Sequence, residues 1–300
     1  MDIRLFKKFQ VSFIEGLLVN SSMELRYLNP WTVFHGFAAW RDYEPDDDDP
    51  ESHTCDYFGI NFQFTPVKNT RFYGLFAMTQ YQTPYETSNY GDSPTPNGLG
   101  FQGGNETYIP AGHGRFHFAV EGSWADPYLY IKESPNWSMV RTYSENMGDK
   151  AIFYEWLGSP FGPDTISGEL TFGYEVPGKW SLDFVYLYMA QGEQSGTSVF
   201  DKVNWGGQRT EFDVKDSAYT KDWAYPDKDS QDDWEEKRDS VCPTGTPEFV
   251  NRLSLRGSYR FNKNVKITFQ PSYVLILNHN HEHGETACGL EVAGALNLSL

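Results

Sequence analysis

No apolar run in the chain approaches the roughly 18 residues that a membrane helix requires. Positive charge is scarce: 24 Lys and Arg stand against 41 Asp and Glu, for a formal net charge of -17. Nucleic acid is therefore a poor partner, because its phosphates are held by Lys and Arg. Only three cysteines occur, Cys55, Cys242 and Cys288, and their spacing fits neither a zinc site nor a redox pair. Each follows a long polar stretch, so the three can share one end of the molecule; one disulfide and three free thiols are both compatible. A Gly-x-Ser-x-Gly elbow, a P-loop and a His-Glu-x-x-His pair are all missing. A glycosidase-like carboxylate pair stays open in so acidic a chain, but the expectation is a protein without catalytic activity or cofactor. Met1 to Leu18 holds basic residues but no apolar core with a small-residue cleavage site. For an exported protein, the expectation is then a mature chain, or the C-terminal part of a longer product.

Alternation is what the chain does have. Leu290, Val292, Leu296 and Leu298 take every second place, with Gly289, Glu291, Ala293, Ala295 and Asn297 between them. Val265, Ile267, Phe269, Tyr273, Leu275 and Leu277 do the same, as do Leu253, Leu255, Tyr259 and Phe261. A period of two places apolar side chains on one face of a β-strand and polar ones on the other. Asn262-Lys263-Asn264 is a tight turn joining two of these runs into a hairpin. These strands are long, at roughly 11 to 14 residues against a usual mode of about 5 to 6, and a tilted strand needs about 9 to 11 to cross a bilayer. Aromatics make up 17% and hydrophobic residues only 39% of the chain, which suits strands that meet lipid at alternate positions.

Earlier in the chain the same pattern predicts strands over 9–19, with a bulge at Glu15-Gly16, and over 58–65, 71–80, 116–124, 137–143, 170–176 and 180–191. A short helix is expected after Asn29-Pro30. Residues 81–112 and 192–247 read as long loops, and 152–165 as irregular chain. Connections at Pro66, Pro177 and Asn262 are short, and the long acidic ones fall at the opposite end, as in membrane barrels. The expected fold is a single all-β domain over 1–300: an antiparallel transmembrane β-barrel of about ten strands, with 192–247 as its large extracellular loop. A soluble two-sheet sandwich that binds or hydrolyses carbohydrate is the alternative.

Several short patches resemble the capsule-assembly outer-membrane proteins of the Wzi-like family. They are Ser22-Met23-Glu24-Leu25-Arg26-Tyr27-Leu28-Asn29-Pro30 after Ile14-Glu15-Gly16, then Arg71-Phe72-Tyr73-Gly74 and Val120-Glu121-Gly122. Asp126-Pro127-Tyr128-Leu129-Tyr130 and Leu157-Gly158-Ser159-Pro160-Phe161-Gly162-Pro163-Asp164 complete the set. The resemblance implies a barrel in the cell outer membrane that helps hold surface polysaccharide, with lipid and lipopolysaccharide around it. Glu15, Arg26, Asn29 and Pro30 carry its first motif. The family barrel is larger than ten strands, so the chain would match its later part, and Leu300 departs from the terminal aromatic usual in such barrels.

Four groups of residues are candidates for chemistry. Arg252, Arg256, Arg260 and Lys266 would face Glu169, Glu175, Asp183, Glu121 and Arg115 across the barrel interior. They would form either a charged solute path, as in a porin, or salt bridges that fill a narrow lumen. Trp205, Trp223, Tyr225 and Trp234 could stack on sugar rings or pin their loop over the mouth. His279, His281 and His283 alternate as metal ligands can, or simply decorate a solvated loop. The acids of 46–49 and 227–239 suit Ca²⁺ or solvation, without EF-hand spacing.

Overall fold

The computed structural model describes residues 1–19, 54–81, 97–129, 140–145, 151–156, 158–193 and 241–298. The described residues form thirteen strands: β1 (Asp2–Leu5), β2 (Phe9–Val19), β3 (Thr54–Phe64), β4 (Thr70–Gln80), β5 (Gly98–Ala111), β6 (Gly114–Ala125), β7 (Val140–Glu145), β8 (Ala151–Trp156), β9 (Thr165–Val176), β10 (Trp180–Gln191), β11 (Glu248–Asn262), β12 (Val265–Leu277) and β13 (Thr286–Leu298). Eleven of them make one sheet in the order β1-β2-β3-β4-β5-β6-β9-β10-β11-β12-β13, and β7 and β8 pair separately. Every pairing is antiparallel. The fold is therefore all-β and barrel-like, built on one sheet rather than two facing ones. Among the described residues the sheet is not closed, and β1 and β13 are its edges.

The sequence pattern fixes which face is which. Phe118, Phe172, Phe184 and Leu255 lie opposite one another on successive strands. Phe172 is 51% exposed and Phe269 54%, while polar Ser254 and Ser272 on the other face are 4% and 3% exposed. The convex face is thus apolar and bare, and the concave face is more polar and, at Ser254 and Ser272, buried, the reverse of a soluble domain. Serine rungs knit the concave wall: Ser123 with Ser167 at 2.6 Å, Ser181 with Ser258 and Ser254 with Ser272 at 2.8 Å. Small hydroxyls that satisfy each other across a ladder suit an interior with little room.

Aromatics on the convex face form two bands. Near the short turns Phe116, Tyr174 and Trp180 pack in a chain with centroids 5.0 and 5.6 Å apart, and Tyr259 meets Phe261 at 4.9 Å. Near the long connections Phe76, Phe101 and Trp124 contact at 5.1 and 5.7 Å, and Tyr188 stacks on Phe249. From Trp180 to Tyr188 the strand spans roughly 26 Å at about 3.3 Å per residue.

Several local expectations are corrected. Residues 98–111 are strand β5, not loop. The ladder between β2 and β3 runs from Phe9 to Val19 without a register shift, so there is no bulge at Glu15-Gly16. Residues 151–156 are strand β8, not irregular, and the strand expected over 137–143 is β7, off the main sheet. The helix expected after Asn29 lies outside the described residues.

The added strand sharpens the sorting of connections. β5 turns into β6 through Gly112 and His113, where Gly112 takes φ 57°, as a two-residue hairpin demands. Gly114 follows, and a Cβ there would press on the Glu175 carbonyl and the Tyr174 ring. Gly114→Ala should therefore lower stability by about 1–3 kcal/mol, read as an earlier unfolding midpoint. Gly178→Ala, in open space but at φ 77°, should cost only about 1–2 kcal/mol of backbone strain.

Candidate functional site

Charges expected to face one another across the lumen instead pair along its wall. Arg115 binds Glu175 on the adjacent strand, Arg71 donates to Glu106 at 2.9 Å, and Arg252 pairs with Glu291 at 2.9 Å. Asp183 sits opposite Arg256, which donates to Gln270, and Arg260 lies opposite Lys266. For Arg115 and Arg71 the reason is distance, since partners directly opposite on adjacent strands are within about 5 Å of each other; Arg252 reaches Glu291 across β12. Tyr108 lies between His117, stacked at 4.6 Å, and the Arg115 guanidinium at 4.4 Å.

One stretch of this wall is not filled. A cavity of 490 Å³ opens on the concave side towards the long connections. Its wall comes from β4 (Leu75, Ala77), β5 (Gly100, Gln102), β6 (Glu121, Ser123), β9 (Ser167, Glu169) and β10 (Leu187), and its roof from Leu129, Ser159, Pro160 and Phe161. Period two explains the wall, since each strand sends alternate residues inward. Small residues explain the space, with Gly100 lying directly under Leu129. Glu121 and Glu169 stand directly opposite on paired strands. Tyr73 donates its hydroxyl to Glu121 at 2.5 Å. Among the described residues Glu169 makes no hydrogen bond and no ion pair.

The roof is held by a buried carboxylate. Asp164 is fully buried and takes φ 56°. Its two oxygens accept from the Thr244 amide at 3.0 Å and the Thr244 hydroxyl at 2.5 Å. Its amide donates to the Asp126 carbonyl at 3.2 Å, and its carbonyl accepts from Gly192 at 2.9 Å. Three connections are thereby tied at one point: residues 126–129, 158–164 and 242–247. Gly192 leaves the room this needs, since a Cβ there would collide with the Asp164 carboxylate. Burial lifts the Asp126 carboxyl from 3.8 to about 6; the Tyr128 amide opposes the rise and the Asp164 charge adds to it. Burial pushes the Cys242 thiol up too, with Asp164 adding to the effect.

Four of the patches singled out in the sequence meet here. Tyr73 bonds Glu121, Glu121 lines the cavity, and Leu129 and Phe161 roof it. Other candidates do not assemble. Among the described residues no three His, Cys, Asp or Glu side chains are placed to hold a metal. His279 pairs with Glu248 at 3.2 Å and His281 with the Thr246 carbonyl at 2.9 Å, so the histidines are drawn to different partners. Cys242 and Cys288 are free thiols. Glu15 lies in β2 opposite Phe58. Arg26, Asn29, Pro30, Trp205, Trp223, Tyr225, Trp234 and the acids of 46–49 and 227–239 lie outside the described residues. Asp164 and Thr244 were missed as a pair; only the isolated Asp after Gly-Pro in a polar stretch hinted at them. No protein-family model and no curated protein matches the chain.

Asp164→Ala should strand the Thr244 donors and cost roughly 2–5 kcal/mol, seen as earlier unfolding and as proteolysis within 242–247. Asp126 behaves in the opposite sense. Its carboxyl binds a proton more tightly folded than unfolded, so stability falls as pH rises from about 4 to about 6, by up to about 3 kcal/mol. Asp126→Asn should flatten that slope and leave the protein more stable than the parent above pH 6, measured by denaturant titration across pH.

Proposed function

We propose that the chain is a non-catalytic β-barrel protein of the cell outer membrane, associated with the attachment or assembly of surface polysaccharide. The observation that carries the reading is the inverted sheet: a bare apolar convex face between two aromatic bands, and a concave face that carries the polar side chains. Contiguous exposed apolar surface of this extent is unusual in a water-soluble monomer. At the strand tilt of about 35–45° usual in such barrels its length covers about 20 Å of the roughly 25 Å apolar belt, and the bands take the place of the aromatic girdles. No helix among the described residues is long and apolar enough to cross a membrane, and strands need none. The polysaccharide part rests on the resemblance to the Wzi-like family and on the convergence of four of its patches around one cavity. A porin-like channel for solutes is the second reading; the charges of Arg115, Glu175, Arg252 and Glu291 along the wall suit it as well, and ion current across a reconstituted bilayer separates the two.

Two measurements test this. The protein should be folded and monodisperse only with detergent or lipid, and should migrate differently in electrophoresis before and after boiling. A folded monomer in plain buffer would end the membrane reading. Deleting the gene in its host should move polysaccharide from the cell surface to the medium; an unchanged partition would end the polysaccharide reading. Within the barrel, Phe172→Arg should cost about 2–4 kcal/mol near the bilayer midplane and sharply lower the yield of membrane-assembled protein.

A further inference from the structure

We propose that the cavity under Leu129 and Phe161 binds an amino sugar with a free ammonium group, which sits between Glu121 and Glu169. The inference deepens the polysaccharide reading and rests on it, by naming the chemical class the site takes. Two like charges directly opposite on a ladder repel each other, and among the described residues no cation pairs with either; Glu121 is half-buried and Glu169 is open to the interior. Tyr73 occupies one oxygen of Glu121, and Glu169 has no partner among the described residues. Arg71, two residues along the ladder from Glu121, is already engaged by Glu106. An ammonium placed between the carboxylates would meet charge-assisted acceptors on both sides, the strongest hydrogen bonds open to it.

The rest of the cavity decides between kinds of cation. A divalent metal wants six or more oxygens, and no third acidic, His or Cys side chain among the described residues is placed to help. The roof is apolar, formed by Leu129, Pro160 and Phe161, which a bare ion gains nothing from. A pyranose presents polar edges and an apolar C–H face, and Phe161 suits that face. The volume of 490 Å³ lies within the range of pockets for small organic ligands, about 300–1,000 Å³. A uronic acid would meet two carboxylates of its own sign and is excluded. The site thus selects basic sugar units over neutral and acidic ones.

Titration calorimetry on the full chain in detergent micelles, with glucosamine, N-acetylglucosamine and glucuronic acid as probes, tests the assignment. Glucosamine should bind, N-acetylglucosamine should bind roughly tenfold more weakly for loss of a charged hydrogen bond, and glucuronic acid should not bind. Glu169→Gln should weaken glucosamine by roughly tenfold, whereas Glu291→Gln, on the same face but outside the cavity, should not. Equal binding of the first two sugars, an unaffected Glu169→Gln protein, or no glucosamine binding by a sample that still shows heat-dependent migration would overturn the proposal. That last control separates failure of the ligand from failure of the membrane barrel, which would show as folding without detergent.

Discussion

Each strand of the main sheet has two faces that cannot share one solvent. Phe118, Phe172, Phe184 and Leu255 form a continuous apolar row on one side, while Ser123, Ser167, Glu121 and Glu169 occupy the other. Period-two alternation leaves no freedom here, because a slip of one residue would exchange the faces entirely. Register is therefore held by solvent partition rather than by any single contact. The serine rungs and the ion pairs along the wall follow from it: once inward positions are polar, they must satisfy one another.

Function is placed by what interrupts this regularity. Paired side chains run along the concave wall, and glycine, alanine and serine leave the cavity open between them. Above that gap the chain makes its one fully buried carboxylate among the described residues, Asp164, and binds three connections to it. The two features are coupled in space, since the segment ending at Asp164 also carries Pro160 and Phe161 into the roof. Unfastening the carboxylate would release the roof while leaving the strands below intact. Stability is thus layered, with a ladder that depends on alternation and a mouth that depends on hydrogen bonds to one charge.

Strands whose outward positions are all large could be found in the sequence: β10 and β12 match their expected spans, while β9, β11 and β13 begin three to five residues earlier than expected. β5 was hidden because Gly98, Gly100, Gly103 and Gly104 remove side chains from both faces, so no period remains to detect. Those glycines serve packing: Leu129 lies over Gly100, and the Tyr73 ring lies against Gly104. The close approach that builds the cavity thus erased the signal of the strand that lines it. The hairpin of β7 and β8 was half visible for another reason, since short strands off the main sheet carry no long alternation. The lumen charges were legible as residues but not as pairs, because sequence separation does not give register. Glu121 and Glu169 show this best: each sits on an inward position predicted from its own strand, and only the ladder sets them face to face.

Strand order also constrains how the edges can be satisfied. Consecutive neighbours in the sheet are antiparallel, so β1 and β13, at the two ends of an eleven-stranded order, point the same way. They cannot complete an antiparallel ladder with each other. Length argues likewise: β1 pairs with β2 only from Phe9 to Ser12, whereas β13 presents an edge from Thr286 to Leu298. That edge carries no Lys, Pro or bulge, the usual guards of an exposed strand, and in hydrocarbon its unpaired amides and carbonyls would each cost several kcal/mol. Antiparallel closure therefore requires β13 to meet a strand running as β2 does, with outward positions matched to Leu290, Val292, Leu296 and Leu298.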